Sequence, residues 1–569
     1  MLIMGMAHNH ITEAQTVSYI YYMAHIHTMP WHLESKKLKG NTYYYARKNK
    51  WTPKGSRRDV EIYLGSADKI VSAMTKTPSI TKIKTYDFGK DAAILSIAQE
   101  LTFQQIIDKC VPKTKGFSAA ELMLLVPLGR SNHKTSKVKT VNWYAKSYLP
   151  FFFNLPKNIS EDSLYHILDY LTPVAKDDIS DKLAKRLLDL GIKPSAIFYD
   201  TTNFRTYLEE SELAKKGRSK EGPTVRNLIG LALAVCDEDI PFLHESYAGN
   251  RSDKELFPIM LDKLMSRLTK VGIDTKELVL VFDRGNNSQG NIDLAKNVSG
   301  IIAGLSRNQF GDLLDILLNK FKDSYTNYKG HVISGYRTTH DAFGKKYTCV
   351  VIYNPATKKK NLAEYEKRKD KIIKLLKELE KKAARKTGRG KKMTPVSAVR
   401  HAEKAIPDDY TTVFKPDIID CRFCWSIDEE AEEKLKKSFG RQVVITDKDD
   451  WDTVRIMKAY NQKSLIEADF KLVKDDLVIP LYPSFHRKEN RIEANMFLCM
   501  TGVMFLRYMM WKLRDLGLSV HDLIEALEGI KISLTKYEGS TSAKWVVNDM
   551  DITQAIIFTR LNFQEFLPR

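Results

Sequence analysis

"SAIFYDTTNF", residues 195–204, is the stretch on which the fold turns. Ala196 to Tyr199 form a short apolar run that meets Asp200 and then polar Thr201, Thr202 and Asn203. A run of this length beside turn formers reads as a buried strand ending in an acid. Upstream, "ISDKLAKRLLDLGI" has helical spacing, and Gly191 and Pro194 close that helix. Downstream, "VRNLIGLALAVC" (225–236) and "IPFLHESYAG" (240–249) predict a hairpin turning at Asp237-Glu238-Asp239. "SDKELFPIMLDKLMSRL" is helical, "ELVLVFDRG" (277–285) is a strand, "SQGNIDLAKNV" a helix and "GIIAGLSR" (300–307) a further strand. The predicted order is β-β-β-α-β-α-β, an α/β unit with Asp200 in its first strand and Asp283 at the end of its fourth.

Acids at strand ends, beside the polar and glycine residues of "DTTN" and "DRGNNS", project where ligands gather on a sheet edge. A third acid lies far along the chain in "YNQKSLIEADFKLVK" (460–474). At helical spacing Tyr460, Lys463, Glu467, Lys471 and Lys474 share one arc, with Ile466, Phe470, Val473 and Leu477 as the apolar stripe beside it. Two readings stand. Lys463–Glu467 and Glu467–Lys471 are i,i+4 pairs that would bridge on a helix surface. Alternatively Asp200, Asp283 and Glu467 together make a hard oxygen ligand set for two Mg²⁺ (or Mn²⁺) ions, suited to in-line attack at phosphorus, with the lysines on phosphates. Asp469 and Glu493 are further acids nearby, read as surface groups or as supports behind the ligands.

The bulk composition favours a polyanionic partner. The 569 residues carry 90 Lys+Arg against 70 Asp+Glu, a formal net charge of +20, which points to nucleic acid. Between Lys36 and Arg58 the charged residues are all basic and interleave with Tyr43, Tyr44, Tyr45 and Trp51. "NTYYYARKNKW" and "RRDVEIYLG" predict two strands turning at Pro53-Lys54-Gly55, a basic β-element suited to tracking a nucleic-acid backbone through Arg47, Lys48, Arg57 and Arg58. With 43% hydrophobic residues and no long apolar run, a membrane span and a secretory signal are not expected. Six cysteines in so long a chain suit a reducing compartment. "CRFC" (Cys421, Cys424) and the pairs His8/His10 and His25/His27 lack a full zinc ligand set. "NLAEYEKRKDKIIKLLKELEKKAARK" predicts a charged helix with a short seam (Ile372, Leu375, Leu376, Leu379), solvated or paired. The following "TGRGKKMTP" lacks phosphate-loop spacing.

The motifs "YDTTNF", "FDRGNNS" and Tyr460-x2-Lys463-x3-Glu467-x6-Lys474 resemble those of the DDE transposases of bacterial and archaeal insertion sequences, in the insertion-sequence-four group with its Y-x2-R-x3-E-x6-K signature. Lys463 stands where the family has Arg, which keeps the charge and loses bidentate geometry. "YAGNRSD" (247–253) and "HRKENRIEANMFLCMTGVMFL" resemble further family segments. The resemblance implies a mixed five-stranded RNase H-like core with flanking helices, interrupted by a mainly β insertion domain. It implies Asp200, Asp283 and Glu467 as metal ligands and Tyr460, Lys463 and Lys474 on DNA, with Lys471 of the same helix arc beside them; Arg284 reads equally as a DNA contact or a structural salt bridge. It further implies metal-dependent cleavage and strand transfer at terminal inverted repeats, by a homodimer that synapses the ends and takes up target DNA in a prokaryotic cytoplasm, on the nucleoid. The expected boundaries are 1–85 (basic β-element), 86–190 (helical), 191–310 (core, first part), 311–440 (insertion), 441–515 (core, second part) and 516–569 (helical, candidate for dimerisation). The competing functions are a catalytically idle DNA-binding regulator and a structure-specific nuclease on the same core.

Overall fold

The computed structural model describes residues 30–569 except 53–54, 76–78, 113–114, 135, 221, 223, 328, 386–392, 476–477, 480, 482–485 and 569. The histidines at 8, 10, 25 and 27, the turn at Pro53-Lys54, most of the glycine–lysine linker and Leu477 lie outside the described residues. The chain divides into two compact units. One holds the described residues up to Thr85 with Ser533–Val546; the other holds Tyr86–Ile532 with Val547–Arg569.

In the first unit β1 (His32–Leu38), β2 (Asn41–Thr52) and β3 (Gly55–Gly65) form an antiparallel meander. β1 is an addition to the two expected strands. Helix α1 (Ala67–Thr75) follows β3, and then comes β4 (Ile80–Asp87).

The second unit begins with the helices α2 (Gly89–Glu100), α3 (Phe103–Cys110), α4 (Ala119–Ser131), α5 (Lys137–Tyr144), α6 (Glu161–His166) and α7 (Pro173–Asp189). Its sheet then starts with β5 (Ala196–Thr206), β6 (Asn227–Cys236) and β7 (Pro241–Ala248), an antiparallel meander. β6 is buried along nearly its whole length, as a strand covered on both faces must be. Helix α8 (Asp253–Lys270), started by a Ser252/Glu255 capping box, carries the chain back to β8 (Val279–Phe282), parallel to β5. Helix α9 (Gln289–Val298) returns it to β9 (Gly300–Gly304), parallel to β8.

Beyond β9 two expectations are corrected. The sheet has nine strands, not five: β10 (Asp323–Thr326), β11 (Val332–Ala342), β12 (Lys345–Tyr353) and the later β15 (Arg441–Thr446) extend it in the order β10-β11-β12-β15-β9-β8-β5-β6-β7. The segment 311–440 is accordingly not a mainly β domain. Its longer strands serve the common sheet, where β15 (Arg441–Thr446) pairs with both β12 and β9 and covers an edge that β9 would otherwise expose. The remainder is mostly helical: α10 (Pro355–Ala384), α11 (Pro395–Ala405), the hairpin β13 (Phe414–Ile419)–β14 (Arg422–Ile427) and α12 (Glu429–Ser438). These close their own core around Tyr365, Leu376, Ala402, Phe414 and Phe439, so the seam of α10 is packed.

The segment 460–474 is split between α13 (Thr453–Gln462) and α14 (Ser464–Leu472), with a turn at Lys463 and Lys474 beyond the helix end. Ile466, Phe470 and Val473 are buried, and α14 lies on β5 and β6. Helix α15 (Glu489–Lys512) is buried on all sides from Ala494 to Met509; no described helix is long and apolar enough to cross a membrane. After α16 (Val520–Gly529) the expectation of a helical C-terminus is corrected by β16 (Lys531–Tyr537) and β17 (Lys544–Val547), which form a sheet in the order β17-β16-β4, before the last helix α17 (Ile552–Arg560).

Candidate active site

The parallel register of β5 and β8 sets Tyr199 opposite Phe282, so the next residues, Asp200 and Asp283, stand side by side. Asp200 is still within β5; its Oδ1 accepts a hydrogen bond from the Thr201 amide at 2.7 Å. Asp283 follows the last residue of β8 and caps a short helical turn, accepting from the Arg284 amide at 2.8 Å. The same Oδ1 accepts from the Tyr460 hydroxyl at 3.2 Å and from Lys463 Nζ at 3.0 Å, and Lys463 also donates to the Tyr460 oxygen at 3.2 Å. Tyr460 reaches in because β9 offers Gly304 there; a Cβ at that position would overlap the tyrosine hydroxyl. At the other end of the segment Lys474 Nζ donates to Thr202 Oγ1 at 3.1 Å, two residues past Asp200.

The two carboxylates are tuned apart. Burial pushes the Asp200 carboxyl up to about 6, and the neighbouring charge of Asp283 adds to that, against the pull of Lys220, the Thr201 amide and Lys463. Burial also presses Asp283 upward, but the Lys463 cation, its hydrogen bond and the Arg284 amide outweigh it and hold Asp283 below the usual carboxylate range. Tyr460 is pushed up to about 12, by burial first. Burial opposes the charge on Lys463, yet Tyr460 and Asp283 raise its pKa above the ordinary lysine value.

Among the described residues no group of three His, Cys, Asp or Glu side chains is close enough to hold a metal ion. Asp200 and Asp283 come together; Glu467 does not join them and is exposed on α14. Its joining would set three carboxylates against the one Lys463 ammonium in a half-buried place, where like charges repel. The pairing of Glu467 with Lys463 or Lys471 is also not found among the described residues: Lys463 pairs with Asp283 instead. Lys471 is exposed, and so is Arg284, which makes no ion pair among the described residues. The chain's own chemistry fits a divalent cation to this extent: two adjacent half-buried carboxylates repel each other, and Asp200 has no cation in direct contact among the described residues.

Two residues not singled out as ligands complete the surroundings of Asp200. Asp253, the last residue of "YAGNRSD" and first of α8, accepts from Thr201 Oγ1 at 2.7 Å and pairs with Lys220 at 3.1 Å. Lys220 also donates to the Thr201 carbonyl at 2.7 Å, and its loop is tied to β5 through Asn203. The motif resemblance pointed to this segment, but the contact depends on where α8 begins against β5.

The other expected residues separate by environment. Asp469 is wholly buried and paired to Arg507, a correction to its reading as a surface group, while Glu493 pairs with Lys176. In the first unit Arg47 is buried and ion-paired to Glu34 and Glu61 on the flanking strands, so its cation is engaged within the sheet. Lys48 is half-buried and Arg57 is exposed; Arg58 is also exposed but pairs with Glu61 at 3.1 Å. Tyr43 and Tyr45 both pack on Tyr63 and are not free stacking platforms.

No family model matches this chain, and no curated protein does. Among solved structures, the chain is similar to one described as a piggyBac transposase synaptic complex with hairpin DNA. That similarity has a TM-score of 0.31 at 10% identity and covers 78% of this chain and 77% of that one. A likeness at that TM-score carries no argument about fold or activity.

Proposed function

We propose that this chain is a DDE transposase with an RNase H-like core, cutting DNA at the ends of its own mobile element and joining those ends to a target. The observation that carries the reading is the convergence of separate motifs. The acids of "YDTTNF" and "FDRG" are neighbours on β5 and β8, and Tyr460 and Lys463 of the signature segment bond to one of them. Chance spacing in sequence does not bring three such distant segments together.

In this reading Asp200 and Asp283 would hold Mg²⁺ (or Mn²⁺) ions, and Glu467 would join them as a third ligand only with metal bound, since the cations would offset the repulsion that keeps it away in their absence; the ions would activate the attacking oxygen and stabilise the leaving one. The rest belongs to the chain. Tyr460 and Lys463 fix the orientation of Asp283, and Thr201, Asp253 and Lys220 brace the strand that carries Asp200. Lys471, Lys474 and Arg284 offer cations to backbone phosphates, with Arg57, Arg58 and Lys48 adding contacts from the first unit. Two copies acting on two ends make the assembly a homodimer, and the work is done on chromosomal DNA in a prokaryotic cytoplasm.

The test is cleavage of DNA carrying the inverted repeats that flank the gene, with Mg²⁺ and then with only Ca²⁺. Cleavage with Mg²⁺ that Asp200→Ala and Glu467→Gln each abolish supports the reading. Binding without cleavage at any divalent ion identifies an idle regulator. Cleavage with no joined product identifies a nuclease.

A further inference from the structure

Next to Asp283, on the side away from β5, lies a cavity of about 250 Å³. It is walled by Arg284, Arg307, Arg441 and Lys463, by apolar Leu305, Phe310 and Val443, and by Thr357 and Asn361 from the start of α10. Its acid is Asp283, already matched by Lys463, which leaves three guanidinium groups to balance. Arg441 donates to the Leu313 and Ile316 carbonyls at 3.1 and 2.7 Å, which fixes its place without neutralising it. Arg307 has a loose partner, Asp409, at 3.8 Å, and Arg284 has no ion pair among the described residues. The cavity is thus a concentration of positive charge with a preset shape, open beside the proposed reaction centre.

We propose that this cavity seats a backbone phosphate of the DNA strand adjoining the one cut at Asp200 and Asp283, gripped by Arg284 and Arg307. The inference rests on the transposase reading above and adds a subsite to it. Guanidinium forks match phosphate oxygens in a way that ammonium groups do not. The volume is below the roughly 300–1,000 Å³ that drug-sized ligands fill, so a phosphate with its sugar fits where a whole dinucleotide cofactor would not. Leu305, Phe310 and Val443 supply an apolar wall for the sugar. The shared lining of Asp283, Tyr460 and Lys463 makes any phosphate held there continuous with the one at the carboxylates.

The experiment measures binding of a fluorescent 30-base-pair duplex to the full chain, without divalent ions, across a series of KCl concentrations. Each duplex phosphate that a side chain ceases to neutralise lowers the slope of log affinity against log salt by about 0.9. Arg284→Gln and Arg307→Gln are each expected to lower it by about that amount and to weaken binding at 0.1 M salt. Lys381→Gln, exposed at the far end of α10, controls for bulk charge and leaves the slope unchanged. Unchanged slopes in both arginine variants, with the wild type binding normally, overturn the subsite and leave the transposase reading standing. A wild type that binds no duplex at any salt overturns both. Thermal stabilisation by inorganic pyrophosphate that the arginine variants lose, with no duplex bound, would reassign the cavity to a small phosphate ligand and likewise overturn the proposal.

Discussion

Replacing Arg507 by Met removes the cation shared by a buried carboxylate, Asp469, and a half-buried one, Asp239. Arg507 on α15 donates through Nε to Asp469 of α14 at 2.5 Å and pairs with Asp239, in the turn between β6 and β7, at 2.7 Å. Asp469 is wholly buried, and Arg507 nearly so. Breaking a buried pair by removing one partner costs about 3–5 kcal/mol, because a charge is left without compensation. At about 1.36 kcal/mol per tenfold, opening of α14 and α15 becomes roughly two to three and a half orders of magnitude more frequent. The sign of the pH dependence follows from burial, which raises both carboxyl pKa values against the pull of Arg507. A carboxyl whose folded pKa exceeds its unfolded one favours the fold at low pH and loses that contribution as pH rises through the folded value. Without Arg507 the two pKa values rise further, so the loss is larger at pH 8 than at pH 5.5, where proton uptake relieves it. Hydrogen exchange of α14 and α15 at the two pH values, corrected for intrinsic rates, reads the opening free energy directly. A loss under about 1 kcal/mol at pH 8, or an equal loss at both values, would refute the reasoning.

Asp253→Asn breaks the ion pair with Lys220 while keeping a side-chain oxygen for Thr201; by analogy with groups that orient metal ligands, end cleavage is expected to fall about 10–100-fold with unchanged duplex affinity. Wild-type rates in that variant would remove Asp253 from the machinery. Gly304→Ala forces a methyl against the Tyr460 hydroxyl and should destabilise the chain by about 1–3 kcal/mol, read as a drop in thermal midpoint. Adding Tyr460→Phe makes room, so a double variant no more stable than Gly304→Ala would count against the contact. Arg47→Met should weaken the N-terminal sheet, seen as faster proteolysis of that unit, whereas Arg57→Gln should leave proteolysis unchanged and lower the salt slope of duplex binding by up to about 0.9. The reverse pattern would exchange their roles.

The strands β5 to β9 were readable because each is a short apolar run between turn formers, and the helices between them carry clear 3.6-residue spacing. The partners of β10, β11 and β12 were not. "KYTCVVIYN" reads as a strand wherever it lies, and joining the core sheet through β15 depends on residues nearly a hundred positions later. Arg47 shows a finer limit. Its basic neighbourhood suggested a DNA contact, but Tyr43, Tyr45 and Arg47 share one face of β2, where Tyr63 and the glutamates of the flanking strands engage them. The glutamates on both flanking strands could not be placed without the register. The strongest sequence signal at the site, the spacing from Tyr460 to Lys474, implied a continuous helix, since no glycine or proline marks a break. The chain turns at Lys463 all the same.

That turn bears on how the signature segment is held. In an unbroken surface helix Lys463 would be matched with Glu467 for a few tenths of a kcal/mol. Half-buried beside Asp283, the same ammonium meets a carboxylate and a buried phenol, where an ion pair is screened less than on an open helix surface. The tertiary contact therefore wins over the local one, and Glu467 is left to solvent as its consequence. The lysine is also the residue in which the chain departs from the family signature. An ammonium makes one compact charge contact where a guanidinium would make a two-pronged one. The space between the Tyr460 ring and Asp283 accommodates that point charge, with Lys463 Nζ lying 4.5 Å from the ring centroid. Orientation of Asp283 thus comes from three separate single donors, the Arg284 amide, the Tyr460 hydroxyl and Lys463. Losing any one of them leaves two, so single variants at Tyr460 or Lys463 should shift Asp283 less than the double variant does.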